Sequence, residues 1–263
     1  MRILVTNDDG MNAPGLQVLR KIAETLSSDV WIVAPETNQS GVSHSLTIFE
    51  PLRYREIGER AFAVRGTPTD CAIMGVRHIL AGQPPGLILS GVNYGANLAE
   101  DVAYSGTVAG ASEGTRLGVR SIAMSLTTGF DPHERIHWET PLAHGPGLVE
   151  KLLEAGWPEN VVINVNYPDL PPDEVAGAVV ARQGRRDQSL ETEERRDPWG
   201  HPYYWLRSNY RRSTLVEGTD LAANANGLIS ITPLVLDLTH GPSCETLARA
   251  FAGGAYSRAA ANG

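Results

Sequence analysis

The chain is short of three things, and each shortage closes off a class of protein. It carries two cysteines in 263 residues, Cys71 and Cys244. They are far apart in sequence and too few for a disulfide framework or a thiolate metal site, so a reducing, cytoplasmic compartment is expected. Positive charge is scarce as well, with 22 Lys and Arg against 30 Asp and Glu and a formal net charge of -8. Holding a nucleic acid polymer takes clustered cations along the phosphate backbone, which argues against such a partner. A small anionic substrate remains admissible if a metal ion or backbone amides trap it locally. No window approaches ~20 consecutive apolar residues, so no membrane span is expected. The start, MRILVTNDDG, is a short apolar run ending in two acids and lacks the charged-then-apolar design of a secretory signal.

What is present is a regular alternation. Short β-rich apolar runs at Arg2 to Thr6, Val30 to Ala34, Leu87 to Ser90, Ser121 to Leu126 and Val161 to Val165 read as strands. Between them lie helix candidates at Gly15 to Leu26, Thr69 to Leu80, Thr107 to Leu117 and Glu139 to Ala155, each long enough to cross over a sheet. That is the pattern of βα units feeding a doubly wound, mostly parallel α/β sheet. Leu46 to Val64 departs from it and predicts an antiparallel excursion. After Pro168 the character changes: a breaker-rich connection leads to a charge-dense run, Gln183 to Arg196, and then to the strand-like runs HPYYWLR and GLISITPLVLDL. The run reads either as an arm that packs on a neighbouring subunit or as a solvated loop with a local hairpin. The expected division is a core of residues 1–167 with 214–235, and an extension of 168–213 and 236–263.

The first strand delivers Asn7, Asp8 and Asp9 to its carboxyl end, the edge at which open α/β sheets bind ligands. Two adjacent carboxylates in one crevice repel each other unless a cation lies between them, and oxygen ligands of this kind favour magnesium, manganese or calcium over zinc. The alternative is that one acid caps the helix beginning near Gly15 while the other is solvated. The second strand runs into PETNQSGVSHS, whose Ser40, Ser43 and Ser45 suit either phosphate and metal binding or simple turn formation. His44, taken alone, reads as a surface or half-buried histidine. The third strand opens into SGVNYGANLAEDVAYSGTVAGASEG, dense in glycine, with Asn93 and Asn97 beside it. A helix starting at Ser105, Gly106 and Thr107 would offer its N-terminal amides to an anion; the alternative is a tight turn and a tightly packed helix. No GxGxxG follows the first strand and no GxxxxGK occurs, which disfavours dinucleotide and Walker-type sites.

Taken together, ILVTNDDG, VAPETNQSGVSHSLT, GTPTDC, SGVNYGANLAEDVAYSGTVAGASEG, INVNYP, RQGRRD and EGTDLAANANGLISITPL resemble the SurE family of 5'-nucleotidases, or survival proteins, in order along nearly the whole chain. The resemblance implies a Rossmann-like core, one divalent metal ion per subunit (magnesium or manganese) and hydrolysis of nucleoside 5'-monophosphates. It places the metal ligands on Asp8, Asp9, Ser40 and Asn93, and the phosphate pocket on Asn97, Ser105, Gly106 and Thr107, with Ser43 and His44 nearby. It also implies a homodimer with an exchanged C-terminal arm, often paired into a tetramer. This chain departs from the family in carrying Ala99 where glycine is usual. Two rivals remain. A phosphoaspartyl enzyme usually has a second acid two residues after the first, where this chain has Gly10, and a nucleotide sensor has no need of the acid pair.

Overall fold

The structure, a computed structural model, describes residues 1–129, 135–187, 190–208 and 213–252. Positions 188–189, 209–212 and 253–263 of the expected extension lie outside them. Nine strands form the main sheet: β1 (Ile3–Thr6), β2 (Val30–Pro35), β3 (Arg53–Gly58), β4 (Ala61–Arg65), β5 (Leu87–Tyr94), β6 (Ser121–Leu126), β7 (Val161–Tyr167), β8 (Gly177–Val180) and β11 (Leu228–Val235). Their spatial order is β3-β4-β2-β1-β5-β6-β7-β11-β8. The five strands expected from the apolar runs form its parallel centre, β1 pairing with β2 and β5, β5 with β6, and β6 with β7. Every residue of β1, β6 and β7 is buried, as a sheet covered on both faces requires.

Helices cover both faces. α1 (Pro14–Leu26) buries Leu16, Leu19, Ile22 and Ala23, a stripe at spacings of three and four. It packs beside α4 (Glu139–Ala155), whose Leu148 and Val149 join the same core. α2 (Pro68–Met74) and α3 (Gly106–Arg116) cover the opposite face. The run Thr69 to Leu80, expected as one helix, divides into α2 and a five-residue π-helical turn at Gly75–Ile79. The break falls where Gly75 lies against Leu4: a Cβ there would come within 2.6 Å of the leucine side chain.

The expected antiparallel excursion is the β3–β4 pair, and β4 then joins the sheet parallel to β2. The apolar run near the C-terminus is β11, inserted antiparallel beside β7, with β8 from the 168–213 segment at its far side. Outside the sheet stand the antiparallel hairpin β9 (Leu190–Arg196) and β10 (Pro202–Ser208), the short helix α5 (Asp220–Ala225) and the helix α6 (Gly241–Phe251). α6 falls in the 236–263 part of the expected extension, where no helix was expected; Pro242 stands in its first turn, where its missing N–H costs nothing. Among the described residues no helix is long and apolar enough to cross a membrane.

The chain runs outward from β1 through β2 to β4 and β3, then returns to place β5 on the other side of β1. Connections therefore leave β1 and β5 in opposite directions, which opens a crevice at their carboxyl ends.

Candidate active site

Asp8 and Asp9 follow β1 directly into that crevice. Neither acid caps α1: the N-cap position is Ala13, with no side-chain hydrogen bond, and Pro14 starts the helix with the one residue type that has no N–H to satisfy. The turn after the acids depends on Gly10, which has φ of +97° and lies so close to the β2 loop that a Cβ would sit 2.9 Å from the Thr37 carbonyl carbon. Backbone bonds lock the two loops together, Gln39 N–H donating to the Asp8 carbonyl at 2.7 Å and Met11 N–H to that of Pro35 at 2.8 Å. Asn7 closes the turn through Nδ2 to the Gly10 carbonyl at 3.0 Å, and its buried Oδ1 has no partner among the described residues.

Asp8 is buried against the first turn of α3. The Thr107 hydroxyl donates to Asp8 Oδ1, and a Cβ on Gly106 would lie 2.7 Å from Asp8 Cβ and 2.9 Å from Oδ2. Helix and sheet approach this closely because Gly106, Gly110 and Gly114 fall on one face of α3, against Asp8, Ser90 with Thr6, and Ile88 respectively. Burial pushes the Asp8 carboxyl up to about 6; the neighbouring Asp9 carboxylate adds to the rise, and the Thr107 hydroxyl holds it down in part. Asp9, half-buried, is also raised by burial, offset by the Tyr94 N–H that donates to its Oδ2 at 2.9 Å. Two carboxyls pushed upward in one crevice have less negative charge stabilisation than water would provide. This is the electrostatic condition a cation relieves.

The other expected site residues fall into two groups. Ser105 caps α3, its Oγ accepting from Val108 N–H at 2.9 Å, and so stands with Gly106 and Thr107 at the helix end facing Asp8. Asn93 is the penultimate residue of β5, beyond a register shift that follows Ser90; its Nδ2 donates to the Gly95 carbonyl at 2.8 Å, which leaves Oδ1 for another partner. Asn97 is buried next door, its Nδ2 on Ser125 Oγ at 2.8 Å, and Ser125 is the β6 residue in register with Asn93. Ser40 lies exposed on the β2 loop, turned there by the Asn38 side chain accepting its N–H at 2.8 Å. Ser43 and His44 approach this group from the flank of α3, beside Ser105. Ser43 Oγ donates to the Ala103 carbonyl at 2.7 Å, and His44 Nε2 pairs with Glu113 at 2.9 Å, two turns along α3 from the acids. They line a cleft of about 820 Å³ on the flank of α3 that shares Ser105 with the crevice but includes neither acid.

The donor set fits a hard cation: two carboxylates, a free amide oxygen at Asn93 and a serine hydroxyl, all oxygen. Among the described residues no group of three or more His, Cys, Asp or Glu is placed to hold a metal ion. Further residues hold the crevice: the Tyr94 backbone N–H on Asp9, and Ser125, Asn164 and Asn166 around Asn97. The asparagines were visible as the polar positions of VVINVNY, alternating with apolar ones.

Fold and crevice together define an α/β protein with a helix N-terminus opposed to a carboxylate pair at the switch point of its sheet. The family described as "Survival protein SurE" matches residues 3–190 of this chain. Among similar proteins, 5'-nucleotidase SurE of Rhodopseudomonas palustris (strain BisA53) is 58% identical over 252 residues, covering 94% of this chain and 98% of the relative. 5'-nucleotidase SurE of Brucella anthropi is 58% identical over 240 residues, 91% of this chain and 93% of the relative. The crystal structure of the SurE protein from Aquifex aeolicus superposes with a TM-score of 0.84 at 42% identity, covering 95% of this chain and 99% of that one. The chain belongs to the SurE family.

Proposed function

We propose that this chain is a divalent-cation-dependent 5'-nucleotidase that hydrolyses nucleoside 5'-monophosphates to nucleoside and inorganic phosphate. The observation that carries the reading is Asp8, buried with a raised pKa between Asp9 and the first turn of α3. The name shared by the Rhodopseudomonas and Brucella relatives supports the substrate class.

Asp8, Asp9, Asn93 Oδ1 and Ser40 would hold a magnesium or manganese ion, which would neutralise charge at the phosphoryl group and make a water more acidic. The residues do the rest. Thr107 occupies Asp8 Oδ1 and fixes the carboxylate rotamer, so Oδ2 is the oxygen left to act. Asp8 Oδ2 takes one proton from the water as the water oxygen bonds to phosphorus and the bond from phosphorus to the 5'-oxygen breaks; the departing 5'-oxygen, on the opposite side, takes its proton from solvent. Ser105, Gly106 and Thr107 at the helix end stabilise the charge that builds on the equatorial phosphoryl oxygens, an effect worth roughly 3 to 4 kcal/mol per well-placed donor. Asn97, beside Asn93, completes the phosphate pocket.

The assembly we propose is a homodimer in which the C-terminal arm of each chain covers the other, with a tetramer as a further pairing. Its support is apolar surface without cover. No residue of α6 is buried, Leu238 and Leu247 are exposed, and Trp205 and Leu206 are exposed on the hairpin. The cleft on the flank of α3 offers Val102, Val108, Val162 and Leu234 to such an arm.

The test of the activity is release of inorganic phosphate from AMP or GMP with manganese, repeated with chelator. Chelator-sensitive release is expected. No release from any nucleotide or simple phosphomonoester would leave the sensor reading in its place.

A further inference from the structure

Strand β7 reads Val-Val-Ile-Asn-Val-Asn-Tyr. Alternation sends Val161, Ile163, Val165 and Tyr167 into the α1–α4 core, and turns Val162, Asn164 and Asn166 toward α3. Both asparagines are fully buried. Asparagine is disfavoured in strands, and a buried amide is costly unless it is hydrogen-bonded. Valine would suit the sheet better at either position, so these amides need a reason to be there.

The reason lies in the loop after β5. Asn166 Oδ1 accepts Asn97 N–H at 2.7 Å, and Asn166 Nδ2 donates to the Asn97 carbonyl at 3.2 Å. Asn164 Nδ2 donates to the same carbonyl at 2.8 Å. One side chain thus grips both backbone groups of Asn97, as a neighbouring strand would. Two residues on, Ala99 N–H donates to Asp220 Oδ2 at 2.9 Å, and Gln183 Nε2 donates to the Ala99 carbonyl at 2.7 Å. Asn224 in α5 reaches the Asn166 carbonyl at 3.5 Å while accepting from Thr127. A stretch with no ladder of its own is held by side chains from β7, from the segment after β8 and from α5. Those are the parts of the INVNYP, RQGRRD and EGTDLAANANG motifs to which no chemistry had been given.

We infer that Asn166 is a positioning residue for phosphate binding: it grips the Asn97 peptide and thereby sets the Asn97 side chain, held to Ser125, beside Asn93. The inference rests on Asn97 belonging to the phosphate pocket, as proposed above. A carboxamide is required because one group must accept and donate at once. Aspartate at this position keeps the shape and the acceptor, loses the donor, and sets an oxygen against the Asn97 carbonyl.

The experiment is a double-mutant cycle on Asn166→Asp and Asn97→Ala, reading kcat/KM for AMP with manganese, the inhibition constant of inorganic phosphate, manganese affinity and melting temperature. Asn166→Asp is expected to lower kcat/KM about a hundredfold and to weaken phosphate inhibition by about tenfold, because a misplacement on the order of 1 Å costs that much. Manganese affinity stays within about threefold, since Asp8 and Asp9 are not on this loop, and adding Asn166→Asp to Asn97→Ala costs less than about threefold more. A folded Asn166→Asp protein that turns over at the wild-type rate overturns the inference, as does full additivity in the cycle. A lower melting temperature with unchanged kcat/KM and phosphate inhibition overturns it too, because that is the signature of a merely structural clamp. Wild-type turnover by Asn97→Ala alone removes Asn97 from the phosphate pocket and the inference with it. A crippled Asn97→Ala beside a wild-type Asn166→Asp removes only Asn166. If aspartate prevents folding, Asn166→Ser enters the same cycle.

Discussion

The crevice between β1 and β5 and the C-terminal arm are incomplete in opposite ways. In and around the crevice, polar groups are buried, and Thr6 Oγ1, Asn7 Oδ1, Ser90 Oγ and Asn164 Oδ1 have no partner among the described residues, beside the raised carboxyls of Asp8 and Asp9. In the arm, apolar groups are exposed, with Trp205, Leu206, Leu238 and Leu247 open to solvent. A buried unneutralised charge calls for a small counterion or ligand, because only something small enters a packed core. Exposed apolar surface calls for a second protein surface, because only a large area of contact removes it from water. The two regions therefore differ in the sign of the burial problem, charge taken from water in one and apolar surface left in water in the other.

The largest expected effect separates the two regions outright. Asp8→Asn or Asp9→Asn should lower phosphatase turnover by about a thousandfold or more while the chain still folds and its oligomeric state stays as it is. Turnover at the wild-type rate by either variant excludes the pair from catalysis.

Next in size is a pH effect on the metal-free protein. Asp8 is raised to about 6 in the folded chain from an ordinary value of 3.8, so the folded state holds the proton more tightly. As pH rises from roughly 4 to roughly 6 the unfolded chain ionises first, and the folded state loses on the order of 3 kcal/mol of relative stability, fully lost above that window. Denaturant melts of chelated protein at the two ends of the window should show this slope, and Asp8→Asn should flatten it by that amount. Equal slopes in the two proteins would mean that Asp8 does not carry the buried charge.

Gly106→Ala should come third. The new methyl would be 2.7 Å from Asp8 Cβ, so either Asp8 or α3 must move, at a cost of about 1 to 3 kcal/mol in stability. Activity should fall by about tenfold to a hundredfold, measured with AMP. Gly110→Ala, further along the same face against Ser90 and Thr6 at 3.2 to 3.3 Å, should cost less, which tests whether the tight spot is the acid itself.

Smaller again, and confined to the arm, paired Leu238→Ser and Leu247→Ser should weaken self-association by about tenfold in light scattering, the share of a few exposed anchors in an interface. Metal affinity should stay unchanged. A chain that is monomeric before the change would remove the arm's proposed role. The smallest effect is expected at Ala99, which holds φ of +52° in a buried position. Ala99→Gly relieves left-handed strain of about 1 kcal/mol but loses a buried methyl and loosens the unfolded chain by comparable amounts, so stability should move by less than about 1 kcal/mol.

The parallel centre of the sheet was legible because runs such as ILVT and SIAMSL are short, apolar and set between helix-length segments, and the acids at the end of the first followed by counting. The helix end at Ser105 was legible for the same local reason: a capping serine before a run of small residues. The offset of Ser43 and His44 from the acids was not, since a loop's direction depends on the partners it finds, here Ala103 and Glu113, about 60 to 70 residues away.

What the amino-acid order determined by itself is therefore local: which segments are strands, where they end, and which chemical groups stand at those ends. What only the tertiary structure decided is which of those ends meet. Thr107 reaches Asp8 across 99 positions and Asn166 grips Asn97 across 69, and neither contact has any periodic signature in the chain. Hydrogen bonds of that reach form only after the hydrophobic layers have stacked, because the entropy of closing such loops is offset by the burial of the sheet and not by the bonds themselves.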